Sequence, residues 1–271
     1  MPKISVIIPT YKPDYYIWEC LNSIVSQSLD KGNYEVFIIL NGDKEPFFTE
    51  IESYLKNNNL NNFHLIYTQE KGVSNARNIG LDRAKGDYIC FVDDDDFLDK
   101  NYLEEMLRVV LKYGNDGIVV SNFLNFDEKT RLEKNRMNYI LGSKEKNLLK
   151  MRKFFSNACG KLIPIRIIAD IRFNKKFKNG EDSLFMVELS KNIKWIAVSE
   201  KETYYNRRLR EDSACHKKKK NLYILSNAFL LMLSCSKLLF KKSYNKIFIL
   251  ARTIALMKGM TIQLLNNKRR I

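Results

Sequence analysis

The chain has 271 residues, of which 45% are apolar or aromatic and 28% charged, so it is long enough to bury a core and does not have the composition of a disordered protein. Its formal net charge of +15 is unevenly distributed, because residues 201–271 contain 17 basic and 3 acidic side chains. The first 200 residues are almost neutral, which argues against a protein that binds nucleic acid over its whole surface. The excess charge instead indicates an anionic partner for the C-terminal segment.

The cysteines and the N-terminal segment bear on the compartment. Five cysteines are scattered along the chain without a C-x-x-C pair, so neither a disulfide framework nor a zinc site is predicted, and a reducing compartment is expected. The apolar run at residues 4–8 is too short for the core of a signal peptide. No stretch of about 20 residues is uniformly apolar enough to indicate a membrane span. These features predict a cytoplasmic protein.

The apolar pattern alternates between short strand-like runs and segments with helical spacing. Strands are predicted at residues 4–8, 35–40, 63–68, 87–92 and 117–121, and helices at 15–28, 51–57, 74–84 and 101–112. This order of elements predicts an α/β fold with a mainly parallel sheet flanked by helices.

Polar residues follow three of the predicted strands. They are Pro9-Thr10-Tyr11, Asn41-Gly42-Asp43, and the four aspartates at 93–96. Because ligands bind at the carboxyl ends of parallel strands, we expect these clusters to meet at one edge of the sheet and to form a site there.

The pattern changes after the predicted α/β segment. From about residue 123 to 154 it becomes weak and polar, which we interpret as an irregular insertion over the site. A helix is predicted over 182–189, entered through Gly180 and Glu181.

The C-terminal segment has a composition of its own. Residues 222–240 and 247–265 form two long apolar runs bracketed by lysine and arginine. Apolar helices with basic flanks are typical of a peripheral anchor on an anionic leaflet. The alternative is that these helices pack on the rest of the chain or on a second copy, so a homo-oligomer stays open.

The four aspartates at residues 93–96 follow a strand that is predicted to be buried. Carboxylates this close repel one another, and a bound cation would relieve the repulsion. Mg²⁺ and Mn²⁺ prefer such oxygen ligands. The alternative is a solvated acidic loop, or a helix start capped by Asp96 or Asp99. The residues alone leave both interpretations open.

Four segments, taken in order, resemble the family 2 glycosyltransferases of the GT-A fold. They are ISVIIPTY, GVSNARNIGLDRAKGDYICFVDDDDF, KNGEDSLF and KETYYNRRLREDSACH. The resemblance covers roughly residues 3–216 and implies a Rossmann-like catalytic domain over 1–216. Its nucleotide-binding half is expected at about 1–122 and its acceptor half at about 123–216. Residues 217–271 then form a basic helical extension.

The resemblance also implies roles in binding the nucleotide. Pro9, Thr10 and Tyr11 would line the nucleotide pocket. Arg77 would lie near the nucleotide-sugar or brace the loop beside it.

The acidic cluster is expected to divide between nucleotide and metal. Asp93 and Asp94 would lie on the nucleotide side, with Asp93 nearer the ribose. Asp95 would be the direct ligand of Mn²⁺ or Mg²⁺. Asp93 and His216 would be further contacts to the metal, or in the case of His216 to the diphosphate.

The sequence departs from the family pattern after the second strand. Two acidic residues and a glycine usually follow there, whereas this chain has Leu40-Asn41-Gly42-Asp43. The aspartate that usually contacts uracil is therefore absent or replaced, and Asn41 is the residue expected to hydrogen-bond the base. A UDP-linked donor is still expected.

Asp182 is the catalytic base that the resemblance implies, with Glu181 as the alternative. A base on the face opposite the leaving group implies inversion at the anomeric carbon. From the residues alone, Asp182 is equally compatible with an N-cap. Arg207, Arg208 and Arg210 are candidates for clamping phosphate oxygens, or belong to a solvated basic face.

These features predict an inverting hexosyl- or N-acetylhexosaminyltransferase. It would move a sugar from a nucleotide-sugar to a glycan or lipid-linked glycan of a surface polymer such as capsule or lipopolysaccharide. The expected location is the cytoplasm, peripherally at the inner face of the cytoplasmic membrane, with no nucleic acid as partner. Two alternatives stay open: a nucleic-acid-binding protein that uses the basic C-terminal segment, with salt-dependent binding, and a catalytically silent nucleotide- or glycan-binding module.

Overall fold

The computed structural model describes Met1, residues 3–210 and residues 221–269. Its strands are β1 (Ile4–Thr10), β2 (Tyr34–Asn41), β3 (Phe63–Thr68), β4 (Tyr88–Phe91), β5 (Phe97–Leu98), β6 (Gly117–Val120), β7 (Asn122–Asp127), β8 (Glu133–Met137), β9 (Lys144–Glu145), β10 (Lys161–Pro164), β11 (Trp195–Val198) and β12 (Tyr204–Leu209). Its α-helices are α1 (Tyr16–Val25), α2 (Phe47–Asn57), α3 (Val73–Arg83), α4 (Tyr102–Tyr113), α5 (Leu148–Met151), α6 (Ile165–Ile168), α7 (Glu181–Leu189), α8 (Asn221–Lys237) and α9 (Lys246–Arg269).

The larger sheet has eight strands in the order β3-β2-β1-β4-β10-β6-β11-β9. Strands β1 to β4 are parallel to one another. Strand β10 runs antiparallel to both of its neighbours, β4 and β6, and β9 runs antiparallel to β11. The predicted α/β fold is therefore confirmed, with a sheet that is parallel in its first half and mixed in its second.

The central strands explain the apolar runs of the sequence. Every residue of β1 and β2 is buried, as expected of parallel strands that are covered on both faces. Strand β1 continues through Pro9 to Thr10, beyond its predicted end. Its pairing with β4 stops at Ile7, so the missing N–H of Pro9 leaves no ladder partner unsatisfied on that side.

The smaller sheet has four strands in the order β5-β12-β7-β8. The prediction of an irregular insertion over residues 123–154 is therefore wrong, because β7 and β8 form an antiparallel pair there. The apolar pattern is weak in this segment because all five residues of β8 are exposed. Because both faces of this edge strand are exposed to solvent, its sequence does not alternate between apolar and polar residues.

An aromatic cluster lies beneath the polar ends of the larger sheet. The rings of Phe173 and Phe185 are stacked with centroids 3.9 Å apart, and the ring of Phe91 meets both edge-on. Phe91 ends β4 and Phe185 lies within α7. The cluster therefore fixes, relative to each other, the two elements whose ends carry the acidic residues.

The helices α8 and α9 form a C-terminal hairpin with one face packed on the rest of the chain. The residues of α8 that are buried recur at helical spacing: Ile224, Ala228, Leu231 and Cys235. Large apolar residues on the remaining faces are exposed, among them Phe229, Phe240 and Ile254. The predicted alternative, in which these helices pack on the rest of the chain, thus holds for one face of the hairpin only.

By length and composition alone, Asn221–Phe240 and Lys246–Leu265 are each able to cross a membrane, contrary to the expectation that no stretch qualifies. The predicted domain limits stay a prediction. Strands from both sides of residue 122 share the larger sheet, and the limit at residue 216 lies outside the described residues.

Candidate active site

A cavity of about 600 Å³ opens where β1, β2 and β4 end. The structure brings the three polar strand ends together here. The predicted site residues that line the cavity are Pro9, Thr10, Tyr11, Asn41, Arg77, Asp93, Asp94, Asp95 and Asp182. His216 lies outside the described residues.

Asn41 joins the end of β1 to the start of α3. Its side-chain amide donates to the carbonyl oxygen of Thr10 over 2.7 Å and accepts from the N–H of Gly72 over 2.9 Å. Asn41 is itself buried. Only part of its hydrogen-bonding capacity is therefore left for a bound base.

Tyr11 presents an exposed ring at the rim of the cavity. The ring packs on Gly42, where an added Cβ would lie 2.7 Å from it, and Gly42 has a φ of 97° that favours glycine. The ammonium groups of Lys12 and Lys71 lie 5.9 and 5.6 Å from the ring centroid, and both pair with Asp43. Such a ring is a surface on which a nucleobase can stack.

Of the four aspartates, Asp96 is buried, whereas Asp94 is partly exposed at the wall of the cavity. Burial and the charge of Asp95 raise the pKa of Asp94 to about 7. Asp96 accepts from the backbone N–H of Arg208 over 2.8 Å, and burial raises its pKa well above the usual range. Helix α4 has no side-chain cap, so neither Asp96 nor Asp99 caps it.

The other two aspartates are held by arginines. Asp93 accepts from Nη2 of Arg77 over 2.8 Å, and its side chain is 40% exposed. Asp95 accepts from Nε and Nη2 of Arg210 over 2.8 and 2.5 Å. Burial nevertheless raises the pKa of Asp95.

The chemistry of this cluster fits a hard divalent cation. Its donors are carboxylate oxygens, and the raised pKa values of Asp94 and Asp95 indicate buried negative charge that a cation would stabilise. Within residues 3–210 and 221–269, no three carboxylate, imidazole or thiol side chains are already arranged around one point as a metal site. A cation there would therefore compete with Arg210 for Asp95.

Arg77 connects the acidic cluster to the opposite side of the cavity. The guanidinium is buried; Nη2 donates to Asp93, and Nη1 donates to Asp182 and lies 3.6 Å from Glu181. Although burial opposes it, the charges of Asp182 and Asp93 raise the pKa of Arg77 well above its usual range. One cation thus compensates three carboxylates that come from β4 and α7.

Asp182 lies in the first turn of α7, whose N-cap is Gly180 with a φ of 81°. The N-cap alternative for Asp182 is therefore excluded. Its Oδ1 accepts from Arg77, and its Oδ2 accepts from the N–H of Ala158 over 3.2 Å. The neighbouring Glu181 also lines the cavity, and burial together with the charge of Asp182 raises its pKa to about 7.

The arginines of the β12 region take different positions. Arg208 is buried, and it donates to Glu19 and, over 2.9 Å, to the carbonyl oxygen of Asp95. Arg207 and Arg210 line the cavity. Because successive residues of a strand face opposite ways, Arg207 and Arg208 cannot both serve as phosphate clamps.

Sequence reasoning missed a buried lysine beside the cavity. Nζ of Lys161 donates to Oδ1 of Asn157 over 2.6 Å and to the carbonyl oxygen of Cys159 over 3.0 Å. Burial lowers its pKa to about 8. Asn157 and Cys159 both line the cavity. The one signal in the sequence is a lysine that starts a short apolar strand.

Comparison with known proteins identifies the family to which the chain belongs. The family model described as "Glycosyl transferase family 2" matches residues 5–171, more than half of the chain. The chain belongs to glycosyl transferase family 2, which confirms the resemblance seen in the sequence.

Several curated relatives are similar over most of this chain. The chain is 28% identical over 217 residues to the poly(ribitol-phosphate) beta-N-acetylglucosaminyltransferase TarS of Staphylococcus aureus, covering 78% of this chain and 36% of that protein. It is 32% identical over 214 residues to the minor teichoic acid biosynthesis protein GgaB of Bacillus subtilis, covering 78% of this chain and 23% of that protein. The chain thus spans about a third or less of the length of these relatives.

Solved structures share the fold. The structure of S. aureus TarS 1–349 in complex with UDP-GlcNAc matches with a TM-score of 0.77 at 22% identity, covering 94% of this chain and 71% of that chain. The mannosyltransferase PcManGT from Pyrobaculum calidifontis, in complex with GDP-Man and Mn²⁺, matches with a TM-score of 0.63 at 14% identity, covering 99% and 75%. These matches confirm the predicted GT-A fold.

Proposed function

We propose that the protein is an inverting glycosyltransferase that uses a nucleotide-sugar donor. The observation that carries the proposal is one cavity in which the strand-end aspartates and Asp182 lie on either side of Arg77. The departing diphosphate of a donor needs positive charge, which a cation bound to the strand-end aspartates would supply. The acceptor hydroxyl needs a base, and Asp182 is a carboxylate that can act as one.

Asp182 is the proposed general base. It takes the proton of the acceptor hydroxyl while the acceptor oxygen bonds to the anomeric carbon and the nucleoside diphosphate departs with the electrons of the broken C–O bond. Attack opposite the leaving group inverts the configuration. Arg77 and the N–H of Ala158 orient the carboxylate for this step. Glu181 is the alternative base.

Asp95 and Asp93 are the proposed ligands of Mn²⁺ or Mg²⁺. A metal bound there supplies charge stabilisation for the departing diphosphate. Arg210, which pairs with Asp95, and Arg207 both line the cavity, and they are the cations proposed to contact phosphate oxygens as well. Whether His216 contributes is a question for the part of the chain outside the described residues.

UDP is the proposed nucleotide. One structural relative was solved with UDP-GlcNAc, and its fold covers 94% of this chain. Tyr11 offers a stacking surface for the base, and the remaining capacity of Asn41 offers one edge contact. An N-acetylhexosamine or hexose is the proposed sugar.

The proposed acceptor is a glycan or lipid-linked glycan of the cell surface. Relatives include teichoic acid biosynthesis proteins, and capsule and lipopolysaccharide belong to the same class of surface polymers. Lys178, Ser156 and Asn157 line the same cavity as Asp182 and are the residues proposed to meet the acceptor.

We also propose that the protein acts peripherally at the inner face of the cytoplasmic membrane. The hairpin exposes Phe229, Phe240 and Ile254. Residues 221–269 contain eight basic side chains and no acidic one. An apolar face edged by cations suits the surface of an anionic leaflet.

The testing experiment is a panel of nucleotide-sugars with Mn²⁺, read out by donor hydrolysis and thermal shift. A glycosyltransferase hydrolyses one donor slowly and is stabilised by it, whereas a catalytically silent module is stabilised without hydrolysis. A nucleic-acid-binding protein gives neither result, and that alternative also leaves the cavity without a role.

A further inference from the structure

The start of α7, the helix that bears Asp182, is covered by the C-terminal hairpin. Nδ2 of Asn227, on α8, donates to the carbonyl oxygen of Asn179 over 3.1 Å. Leu231 of the same helix packs against Gly180, where an added Cβ would lie 2.6 Å from the leucine. The hairpin therefore contacts the two residues that lead into the turn bearing Asp182.

Arg252 of α9 makes the most direct connection. Its guanidinium is buried; Nη2 donates to Oγ of Ser183 over 2.7 Å and to the carbonyl oxygen of Phe155 over 2.9 Å. Nη1 donates to the carbonyl oxygen of Arg152 over 2.9 Å. Ser183 directly follows Asp182 in α7.

This guanidinium is buried on neutral acceptors. Within residues 3–210 and 221–269 it forms no ion pair, its Nε has no hydrogen-bond partner, and burial lowers the pKa of Arg252. A buried charge without a counter-ion is costly. Its three hydrogen bonds offset part of this cost, and they connect α9 to α7 and to residues 152–155.

The second route from α9 to the base runs through the loop 156–159. Arg252 donates to the carbonyl oxygens of Arg152 and Phe155, and Phe155 directly precedes this loop. The ring of Phe248, on α9, packs on the ring of Phe155 with centroids 4.8 Å apart. The N–H of Ala158 then donates to Oδ2 of Asp182. Both routes, along α7 and across the loop, end at the same carboxylate.

We propose that Arg252 is a positioning residue that fixes α7 against the loop 156–159, so that Asp182 meets the acceptor hydroxyl in a productive geometry. The C-terminal hairpin is then a working part of the catalytic centre, whatever its outer face binds. The proposal rests on the role of Asp182 as general base.

A matched pair of full-length variants tests it. Arg252→Gln and Lys258→Gln each remove one positive charge from α9, but Lys258 is exposed. We expect Arg252→Gln to lower kcat by about 10- to 100-fold, because small displacements of reacting groups cost rates of this order. The affinity for the donor, measured by calorimetry, stays within about twofold. Lys258→Gln changes neither quantity, and equal kcat in the two variants overturns the proposal.

Two further variants separate positioning from folding. Ser183→Ala removes only the partner hydroxyl, and a several-fold loss of kcat at unchanged donor affinity supports the proposal even if Arg252→Gln does not fold. Unchanged kcat in Ser183→Ala overturns it, as does a loss of donor binding in Arg252→Gln that parallels the loss of turnover.

A double variant isolates the dependence on the base. In the Asp182→Asn background, Arg252→Gln is expected to cause no further loss of residual turnover, because it acts through the missing carboxylate. If Arg252→Gln lowers the residual turnover of Asp182→Asn by the same factor as it lowers that of the wild type, the proposal is overturned. Full turnover in Asp182→Asn alone overturns instead the proposed function, and so the two failures are distinguishable.

Discussion

Arg77 and Asp182 form an ion pair in the wall of the cavity although 105 positions separate them in the chain. The same guanidinium reaches Asp93 with its other nitrogen. The rigid, planar guanidinium of Arg77 therefore lies between Asp182, the proposed general base, and Asp93, a proposed metal ligand.

Replacing the proposed base separates chemistry from binding. Asp182→Asn is expected to lower transfer by about 100- to 10,000-fold, because general base catalysis contributes on this scale. Donor affinity, measured by calorimetry with Mn²⁺, should stay near the wild-type value. Glu181→Gln is the matched control with a smaller effect; if instead it abolishes transfer while Asp182→Asn does not, Glu181 is the base.

Removing the central arginine is expected to destabilise the protein. In Arg77→Met, three carboxylates lose their shared cation, at an expected cost of about 2–3 kcal/mol in the free energy of unfolding. This is below the ~3–5 kcal/mol of fully buried pairs, because Asp93 and Asp182 are partly exposed. Chemical denaturation measures it. Lys56→Met breaks the exposed pair with Glu52 and should cost less than about 0.5 kcal/mol; equal costs would contradict the role given to Arg77.

The order of elements in the first half of the chain could be predicted because its strands are buried on both faces. β1, β2 and β4 appear in the sequence as continuous apolar runs, and the polar residues after them meet as the topology requires. The β7–β8 hairpin could not be predicted in this way. Its outer strand is exposed, and its inner strand is stabilised by pairing with β12, about 80 residues later in the chain.

The stability of the metal-free protein should fall as the pH rises through neutrality. Asp94 and Glu181 have pKa values of about 7 in the folded protein, against 3.8 and 4.5 as ordinary values. Between about pH 5 and 8 the folded state therefore binds more protons than the unfolded chain, and the free energy of unfolding decreases with rising pH. Denaturation curves in EDTA at several pH values check this.

The variants Asp94→Asn and Glu181→Gln should each flatten that dependence, since neither replacement titrates. Carboxyls with lowered pKa, such as Glu200 at about 2, change their protonation below this range and serve as internal controls. A wild-type stability that is constant or increases from pH 5 to 8 would show that these two carboxyls do not have raised pKa values in the folded protein.

Metal removal should stop transfer and also weaken donor binding. With EDTA we expect loss of donor hydrolysis and loss of the thermal shift given by the nucleotide-sugar, both restored by Mn²⁺. Asp95→Asn should raise the Mn²⁺ concentration needed for the half-maximal thermal shift by at least about tenfold. Even the mutation of residues that only support metal ligands lowers metal affinity by about 10- to 100-fold. Unchanged hydrolysis in EDTA would rule out the proposed metal.

Membrane association should depend on the outer face of the hairpin. The double variant Phe229→Ser and Phe240→Ser is expected to reduce co-flotation with phosphatidylglycerol vesicles by at least about tenfold, since a buried phenylalanine contributes roughly 1.5–3 kcal/mol. Leu132→Ser removes an equally exposed apolar residue from the smaller sheet and should have no effect. Equal binding to phosphatidylcholine vesicles would contradict the role of the basic residues.

The motifs predicted which residues line the cavity, but they did not predict the hydrogen bonds that hold these residues in position. Thr10, Arg77, Asp93 and Asp182 lie around one cavity, and Arg77 pairs with Asp182. The hydrogen bond from Ala158 to Asp182 and the contact of Arg252 with Ser183 involve residues that no motif marks. A lone arginine in an apolar helix has the same sequence signature whether it faces water or a buried carbonyl. The hydrogen bonds it makes depend on tertiary packing, which single-sequence patterns do not encode.

The hairpin also sets an order of assembly during translation. Residues 221–269 are made after both halves of the sheet, yet Leu231 and Arg252 hold the start of α7. On the proposed roles of these residues, a nascent chain would form its donor pocket before its general base is braced, because domains begin to fold as they leave the ribosome. The ability to bind a donor would then precede the ability to turn it over.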